Sequence, residues 1–398
     1  MNDRVRILVL DGHTNQALAC VRSLGRAGYE VIAASDRRLP LSAWSRYCKD
    51  YIHLDGENIG SFAALRERAR TSGVSLVLPV TERSCLLLNA ERREWEAAGM
   101  TIGCGPEEML TGAFDKAQIL GLTDECGLSA PETRLPASLQ ECREAADEVG
   151  YPCVVKPRWS NAWTGNTFLV ARGPRYVDSP GQLEEAVLAS KQGECWPLIQ
   201  GYVKGAGKGV FALCDRGRAI AWFAHERLRD VRPTGSGSSL RRSIRVEPRL
   251  RKPAERLLAR LKWHGPAMVE FRDDGVSAPY LIEINGRFWG SLQLAVEAGV
   301  DFPRLWVSTL MGKSVKDQGE YVEGVTLRWL WGDAKRLLYI LKGRPRGYPY
   351  PYPSVWQGIK ELFGPQPVGT HLEIWQTSDP LPAVGEWVEG IRGLLGRG

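Results

Sequence analysis

Between Ala267 and Asn285, apolar residues alternate with acids and an amide in two short runs separated by Asp273-Asp274-Gly275. This alternation predicts a β-hairpin with strands over Ala267–Arg272 and Tyr280–Asn285. A period of two puts Glu283 and Asn285 on one face of the second strand and Ile282 and Ile284 on the other. Glu270 stands between Val269 and Phe271, and a loop over 273–279 brings it nearly opposite Glu283. The N-terminal pattern differs. Val5–Leu10, Gln16–Tyr29 and Glu30–Ser35 read as strand, helix and strand, with Gly28 where a helix-ending glycine belongs. Val74–Val80 adds a strand that runs through Thr81-Glu82 into a helix, so this part reads as Rossmann-like α/β. Farther on, a helix is predicted from Asp115 to Cys126, and strands over Tyr151–Pro157 and Trp196–Gly205. Two more strands flank the turn Asp215-Arg216-Gly217, and beyond Gly312 the chain turns rich in Trp, Tyr and Pro.

Two directly opposed carboxylates repel each other unless a cation lies between them. Glu270, Glu283 and the amide of Asn285 form an all-oxygen set suited to Mg²⁺, which completes its shell with water and phosphate oxygens. Arg287 lies within reach of such a phosphate, and Gly286 and Gly290 permit close backbone approach. The alternative is a surface strand with solvated acids. Lys156, set among Cys153, Val154 and Val155, calls for an anionic partner or a path to water. The segment Ser160–Thr167 is either a phosphate-covering loop or a plain hairpin turn. Asp11–Gln16 lacks the glycine fingerprint of a dinucleotide site, so NAD is not expected. The 11–15 and 80–83 loops are either substrate-facing or simple connections. His225 reads as a packing residue rather than a base, and no catalysis is assigned to it.

A chain of 398 residues has room for two or three domains with substantial cores. Nine cysteines without a C-x-x-C pair point to a reducing compartment, and no signal-peptide pattern or spanning segment is seen, so a cytoplasmic protein is expected. From His225 to Lys262 there are 12 Lys/Arg against 4 Asp/Glu. This excess suits a solvated helix face, a nucleic acid, or an enzyme handling a triphosphate and a carboxylate. No aromatic–basic nucleic-acid module accompanies it, which favours the last. The segment 325–363 pairs Leu330, Leu337, Leu338 and Leu341 with Lys335, Arg336 and Lys342. It reads as a helix packed on the body, with a membrane surface as the alternative.

The stretch EINGRFWGSLQLAVEAGVDFP, with Glu270 upstream, resembles the C-terminal signature of the ATP-grasp superfamily, in particular bacterial carboxylate–amine ligases and carbamoyl-phosphate-synthase-like proteins. The resemblance covers roughly the first four-fifths of the chain. It implies an α/β protein with a Rossmann-like pre-ATP-grasp domain at 1–110, an ATP-grasp domain at 111–312 with a lid at about 150–204, and a C-terminal extension at 313–398. By the same resemblance Lys116 and Lys156 are nucleotide lysines, and Ser160, Asn161 and Gly165 belong to the phosphate-covering loop. Gln200, Gly201 and Val203 match the hinge that grips adenine. Glu270, Glu283 and Asn285 match the ligands of two Mg²⁺ ions, with Mn²⁺ an alternative, and Arg287 and Lys156 are the catalytic candidates. The implied reaction is ATP-dependent ligation of a carboxylate to an amine through an acylphosphate. The expected partners are small molecules, with no nucleic acid and a homodimer as a compatible assembly. Two departures stand out. The family's acid after the hinge, in a Gly-Glu-Gly context, is replaced by Gly205-Ala206-Gly207-Lys208-Gly209, and Arg242 stands where the family tends to carry Glu. A nucleotide-binding protein that has lost catalysis is therefore the rival reading.

Overall fold

A computed structural model of the chain describes residues 5–394 apart from positions 166, 172, 316 and 317. The first sheet holds β1 (Arg6–Val9), β2 (Glu30–Ser35), β3 (Cys48–His53), β4 (Val74–Leu78) and β5 (Thr101–Ile102), all parallel, in the order β3-β2-β1-β4-β5. Helices cover both faces, so β1, β2 and β4 are nearly continuous apolar runs. The first helix is shorter than its pattern predicts, Asn15–Arg26, and Gly28 takes the left-handed turn that follows it at φ 88°. The strand predicted over Val74–Val80 stops at Leu78, since Pro79 has no N–H for the ladder and the Asp11 carboxylate takes the next two N–H groups, Val80 at 3.2 Å and Thr81 at 3.0 Å.

β6 (Thr133–Arg134) and β7 (Cys153–Lys156) begin a second, antiparallel sheet. β8 (Asn161–Trp163) and β9 (Phe168–Val170) leave it as a separate hairpin, and β10 (Arg175–Val177) and β11 (Leu198–Gly201) return, giving the order β10-β7-β11-β6. This sheet packs against two helices around a small core of its own, built on Cys142, Val155, Leu183 and Ile199. The helix predicted over 115–126 is broken into Lys116–Gly121 and Thr123–Cys126. At the break, the Thr123 hydroxyl donates to the Leu120 carbonyl at 2.7 Å, a local bond that competes with the helical ladder.

The largest sheet contains β12 (Ala206–Asp215), β13 (Arg218–Arg229), β14 (Leu240–Ile244), β15 (Gly265–Asp273), β16 (Tyr280–Asn285), β17 (Thr326–Arg328) and β18 (His371–Leu372). Their order is β16-β15-β12-β13-β14-β17-β18, antiparallel except for β17 and β18. The main core runs continuously from the first sheet to this one, joining Leu8, Val77 and Phe114 to Val210, Leu257 and Phe271. Two strands from beyond residue 312 thus complete the sheet that carries the predicted hairpin. The helix Leu330–Leu341 packs inward through Trp331, Gly332, Asp333 and Ile340. Buried Asp333 accepts from Arg229 at 2.8 Å and Arg328 at 2.6 Å, fastening that helix to β13 and β17. Among the described residues, no helix is long and apolar enough to cross a membrane.

Candidate functional site

The β15–β16 hairpin places Glu270 and Glu283 as direct register partners, with Asn285 opposite Met268. The Asn285 amide donates to Glu283 Oε1 at 3.2 Å, and Arg287 Nη2 donates to Asn285 Oδ1 at 2.9 Å. Predicted from alternation alone, this row of polar groups is continuous in space. Gly286 serves another purpose than the one expected. A Cβ there would lie 2.6 Å from Cζ2 of the Trp263 indole, so its smallness seats Trp263, while Gly290 faces open space.

Three cations surround the row. Asp115 caps the helix that begins at Lys116, accepting from the Ala117 N–H at 3.0 Å, and is held by Arg158 at 2.9 and 2.7 Å. That clamp fixes Lys116 beside the end of β7, and its Nζ donates to Ser160 Oγ at 3.3 Å. Lys156 closes β7. Burial lowers its pKa to about 8, with Glu283 opposing the shift and Lys116 adding to it. Burial pushes the Glu283 carboxyl up, but Lys116, Lys156, the Asn285 amide and Arg287 together hold it below the usual range, so it stays ionised. Among the described residues, no carboxylate lies within ion-pair distance of Lys116, Lys156 or Arg287. Cations gathered without an acid partner fit an anionic occupant.

A cavity of about 590 Å³ runs past this cluster. One end is bounded by Gln200, Gly201, Tyr202 and Val203, the hinge positions predicted to hold a base. The Gln200 side chain donates to Thr133 Oγ1 at 2.8 Å, and the Gly201 N–H donates to the Glu132 carbonyl at 2.8 Å. The other end is bounded by His225, Arg227, Arg241, Trp289 and the Gly235–Ser238 loop, with Thr14 and Asn15 from the first sheet. The 11–15 loop therefore reaches the cavity. His225 is buried, its Nδ1 is 3.3 Å from Ser291 Oγ, and its ring stands edge-on to Phe211 at 4.7 Å. Burial, reinforced by Arg241 and Arg227, keeps it neutral.

Several predicted positions lie elsewhere. Ser160 lines the cavity, but Asn161 and Gly165 do not. Asn161 sits in β8, and Gly165 takes the exposed turn of the β8–β9 hairpin at φ 88°. Asn166 lies outside the described residues. Of the two readings of 160–167, the hairpin is the one formed: its paired strands dock on the first sheet's helix Glu82–Ala90, with the Arg83 guanidinium 4.8 Å from the Phe168 ring centre. Neither Ala206 nor Lys208 lines the cavity. Both alternate away from Gly207 and Gly209, and Lys208 is spent on Glu247 and Asp273, each at 2.8 Å. Arg242 pairs with Glu226.

Three residues not singled out in the sequence belong to the cluster. Arg227 is buried and bonded to Glu270. Its signal was present in the alternation His225-Glu226-Arg227, which continues the face of His225. Arg272 lines the cavity near the hinge, donating to the Gly205 and Gly235 carbonyls at 3.0 and 3.2 Å. Glu82, in the predicted 80–83 segment, opens the helix Glu82–Ala90 and closes a side pocket with Lys116, Arg287 and Glu283. Its Oε1 is buried without a partner, and burial raises its pKa against the pull of Arg287 and Lys116. No trio of His, Cys, Asp or Glu gathers among the described residues. A cation here would rest on two carboxylates and the Asn285 amide and complete its shell from water and substrate oxygens, as Mg²⁺ does.

Residues 197–332 match the family model described as ATP-grasp in the biosynthetic pathway with Ter operon. The carbamoyl phosphate synthase large chain of Vibrio vulnificus is 24% identical over 337 residues, covering 80% of this chain and 30% of that protein. The chain thus spans about three tenths of the length of this relative. The ADP complex of N5-carboxyaminoimidazole synthetase from Staphylococcus aureus superposes with a TM-score of 0.64 at 14% identity, over 81% of each chain. An L-amino acid ligase from Bacillus licheniformis gives 0.61 at 17% identity, over 82% of this chain and 79% of that one. Residues 197–332, which carry the acid hairpin in register, thus match an ATP-grasp family model, and the chain is similar in sequence to a carbamoyl phosphate synthase large chain and in fold to the synthetase and the L-amino acid ligase.

Proposed function

We propose that the protein joins a carboxylate to an amine at the expense of ATP. The observation that carries this reading is the register pair Glu270–Glu283 facing three cations without acid partners. A substrate carboxylate oxygen attacks the γ-phosphorus, the bond to the β–γ bridging oxygen breaks, and an acylphosphate and ADP form. The amine nitrogen then attacks the acyl carbon, the bond to phosphate oxygen breaks, and the ammonium product loses its proton to solvent. Glu270, Glu283 and Asn285 would hold Mg²⁺, which when bound supplies positive charge to the phosphate oxygens.

This chain's own groups do the rest. Lys116, Lys156 and Arg287 stabilise the charge on the transferring phosphoryl group, and Gln200, Gly201 and Val203 seat the base through the backbone. Ser160, bonded to Lys116 at the cavity wall, helps to shield the phosphates from water. Arg227 positions Glu270. The names of the relatives support the reading, since ligases and an ADP-bound synthetase share the fold.

Hydroxylamine tests it, because it converts an acylphosphate to a hydroxamate. Incubation with Mg-ATP, hydroxylamine and a panel of acids is expected to give hydroxamate and ADP in equal amounts for one class of acid. ATP binding with no acid in a broad panel releasing ADP would favour the non-catalytic rival.

A further inference from the structure

The helices Leu330–Leu341 and Val355–Phe363 form an antiparallel pair. Arg336 donates to Glu361 at 2.6 Å and the Tyr352 hydroxyl to the Tyr339 carbonyl at 3.0 Å. Gly358 lets the helices close, since a Cβ there would lie 2.8 Å from Ile340 and 3.0 Å from Leu337. This packing turns the opposite side of the second helix to solvent. Trp356, Lys360 and Phe363, spaced i, i+4, i+7, form one stripe, with Trp356 63% and Phe363 79% exposed. Leu341, 58% exposed, ends the first helix and Val355, 43% exposed, begins the second.

The charge around this ridge has one sign. From Ala334 to Val368 the single acid is Glu361, and its carboxylate is consumed by Arg336. Lys342, Arg344, Arg346 and Lys360 are all exposed, and among the described residues the one ion pair that any of them makes is that of Arg346 with Glu185, at 4.0 Å. Lys360 stands 5.5 Å from the Trp356 ring and Lys342 5.9 Å from the Tyr339 ring, so long cationic side chains flank the aromatics.

We propose that this ridge docks the protein on an anionic lipid bilayer, independently of the reaction. A convex ridge of separate Trp, Phe, Leu and Val side chains enters fluid acyl chains without needing a shape-matched groove, while the surrounding cations stay at the headgroups. A partner offering phosphate charge alone would leave Phe363 and Leu341 in water.

The test uses the full chain in vesicle co-sedimentation. Phosphatidylcholine vesicles containing phosphatidylglycerol should bind it, and phosphatidylcholine alone should not. W356E/F363E should weaken partitioning at least about tenfold, and K342Q/K360Q about fivefold for each lysine. Both variants lie away from the cavity, so unchanged ATP binding verifies that they fold. The proposal is overturned if the wild type ignores anionic vesicles, or if W356E/F363E binds them as well as wild type. It is also overturned if the protein binds only DNA and loses that binding with K342Q/K360Q but not with W356E/F363E.

Discussion

Gly207 and the Arg227 guanidinium share one space: a Cβ at position 207 would run into Nε and Nη2 of the arginine. The glycine lets Arg227 lie flat across β12 and reach Glu270 on β15. Gly207→Ala should leave the fold intact, since the displaced atoms are the far end of a flexible side chain. Glu270 loses its positioning partner, and activity should fall about 10–100-fold. Thermal melting together with acid-dependent ADP release would show this; undiminished turnover would mean that Arg227 does not act through Glu270.

Glu283→Gln should keep the circular dichroism spectrum and lower ADP release by at least about a hundredfold. A neutral amide is a poorer ligand for a hard cation and no longer balances Lys116 and Lys156. Full activity would reduce Glu283 to a surface acid.

Nucleotide affinity should depend on pH if Lys156 holds phosphate as proposed. Its pKa of about 8 lies below the usual lysine value, chiefly through burial. The unfolded chain therefore binds this proton more tightly than the folded one, and stability rises with pH from about 8 towards the unfolded value. Affinity runs the other way, because phosphate is held by the protonated form: ATP binding should weaken as pH climbs through 8. Titration calorimetry across that range should show the inflection in wild type and not in Lys156→Arg. A flat wild-type profile would detach Lys156 from the phosphates.

Sugar selectivity should be weak. Among the described residues, the carboxylates lining the cavity are Glu270 and Glu283, both on the β15–β16 hairpin and neither at the hinge. A charged acceptor for the ribose hydroxyls is worth about 1.5–3 kcal/mol, and without one dATP should compete almost as well as ATP, while GTP should not. Ala206→Glu should leave that ratio unchanged, since position 206 faces away from the cavity. Competition assays with the three nucleotides decide it; a strong preference for ATP over dATP would sink the idea.

Asp333→Ala would leave Arg229 and Arg328 buried without their carboxylate. The cost should be about 3–5 kcal/mol, read as a shift of the urea midpoint. A change within error would mean that water reaches both guanidinium groups.

The hairpin that organises the site was legible because strand periodicity and acid placement both depend on neighbouring residues: Tyr280–Asn285 was read with its observed bounds, and Glu270 was placed opposite Glu283. The parallel first sheet was legible for the same reason, since strands buried on both faces leave unbroken apolar runs. What stayed hidden depends on distant residues. Nothing near Arg227 in sequence says that Gly207 makes room for it, and nothing around Val80 says that Asp11 will take its N–H. The face of Ala206 was missed because its glycine-rich surroundings carry no apolar alternation to mark inside from outside. The break at Leu122 reflects a single hydroxyl, which periodicity does not register.

The pairing of β14 with β17, and of β17 with β18, has a consequence for how the chain is made. Arg241 of the cavity sits on β14, whose outer edge is covered by β17 at 326–328, which is covered in turn by β18 at 371–372. Until that stretch has been synthesised, β14 presents a row of unpaired backbone donors and acceptors, an open template for strands of other chains. The emerging polypeptide therefore carries an aggregation hazard that persists late into translation, after most of the cavity-lining residues have been made.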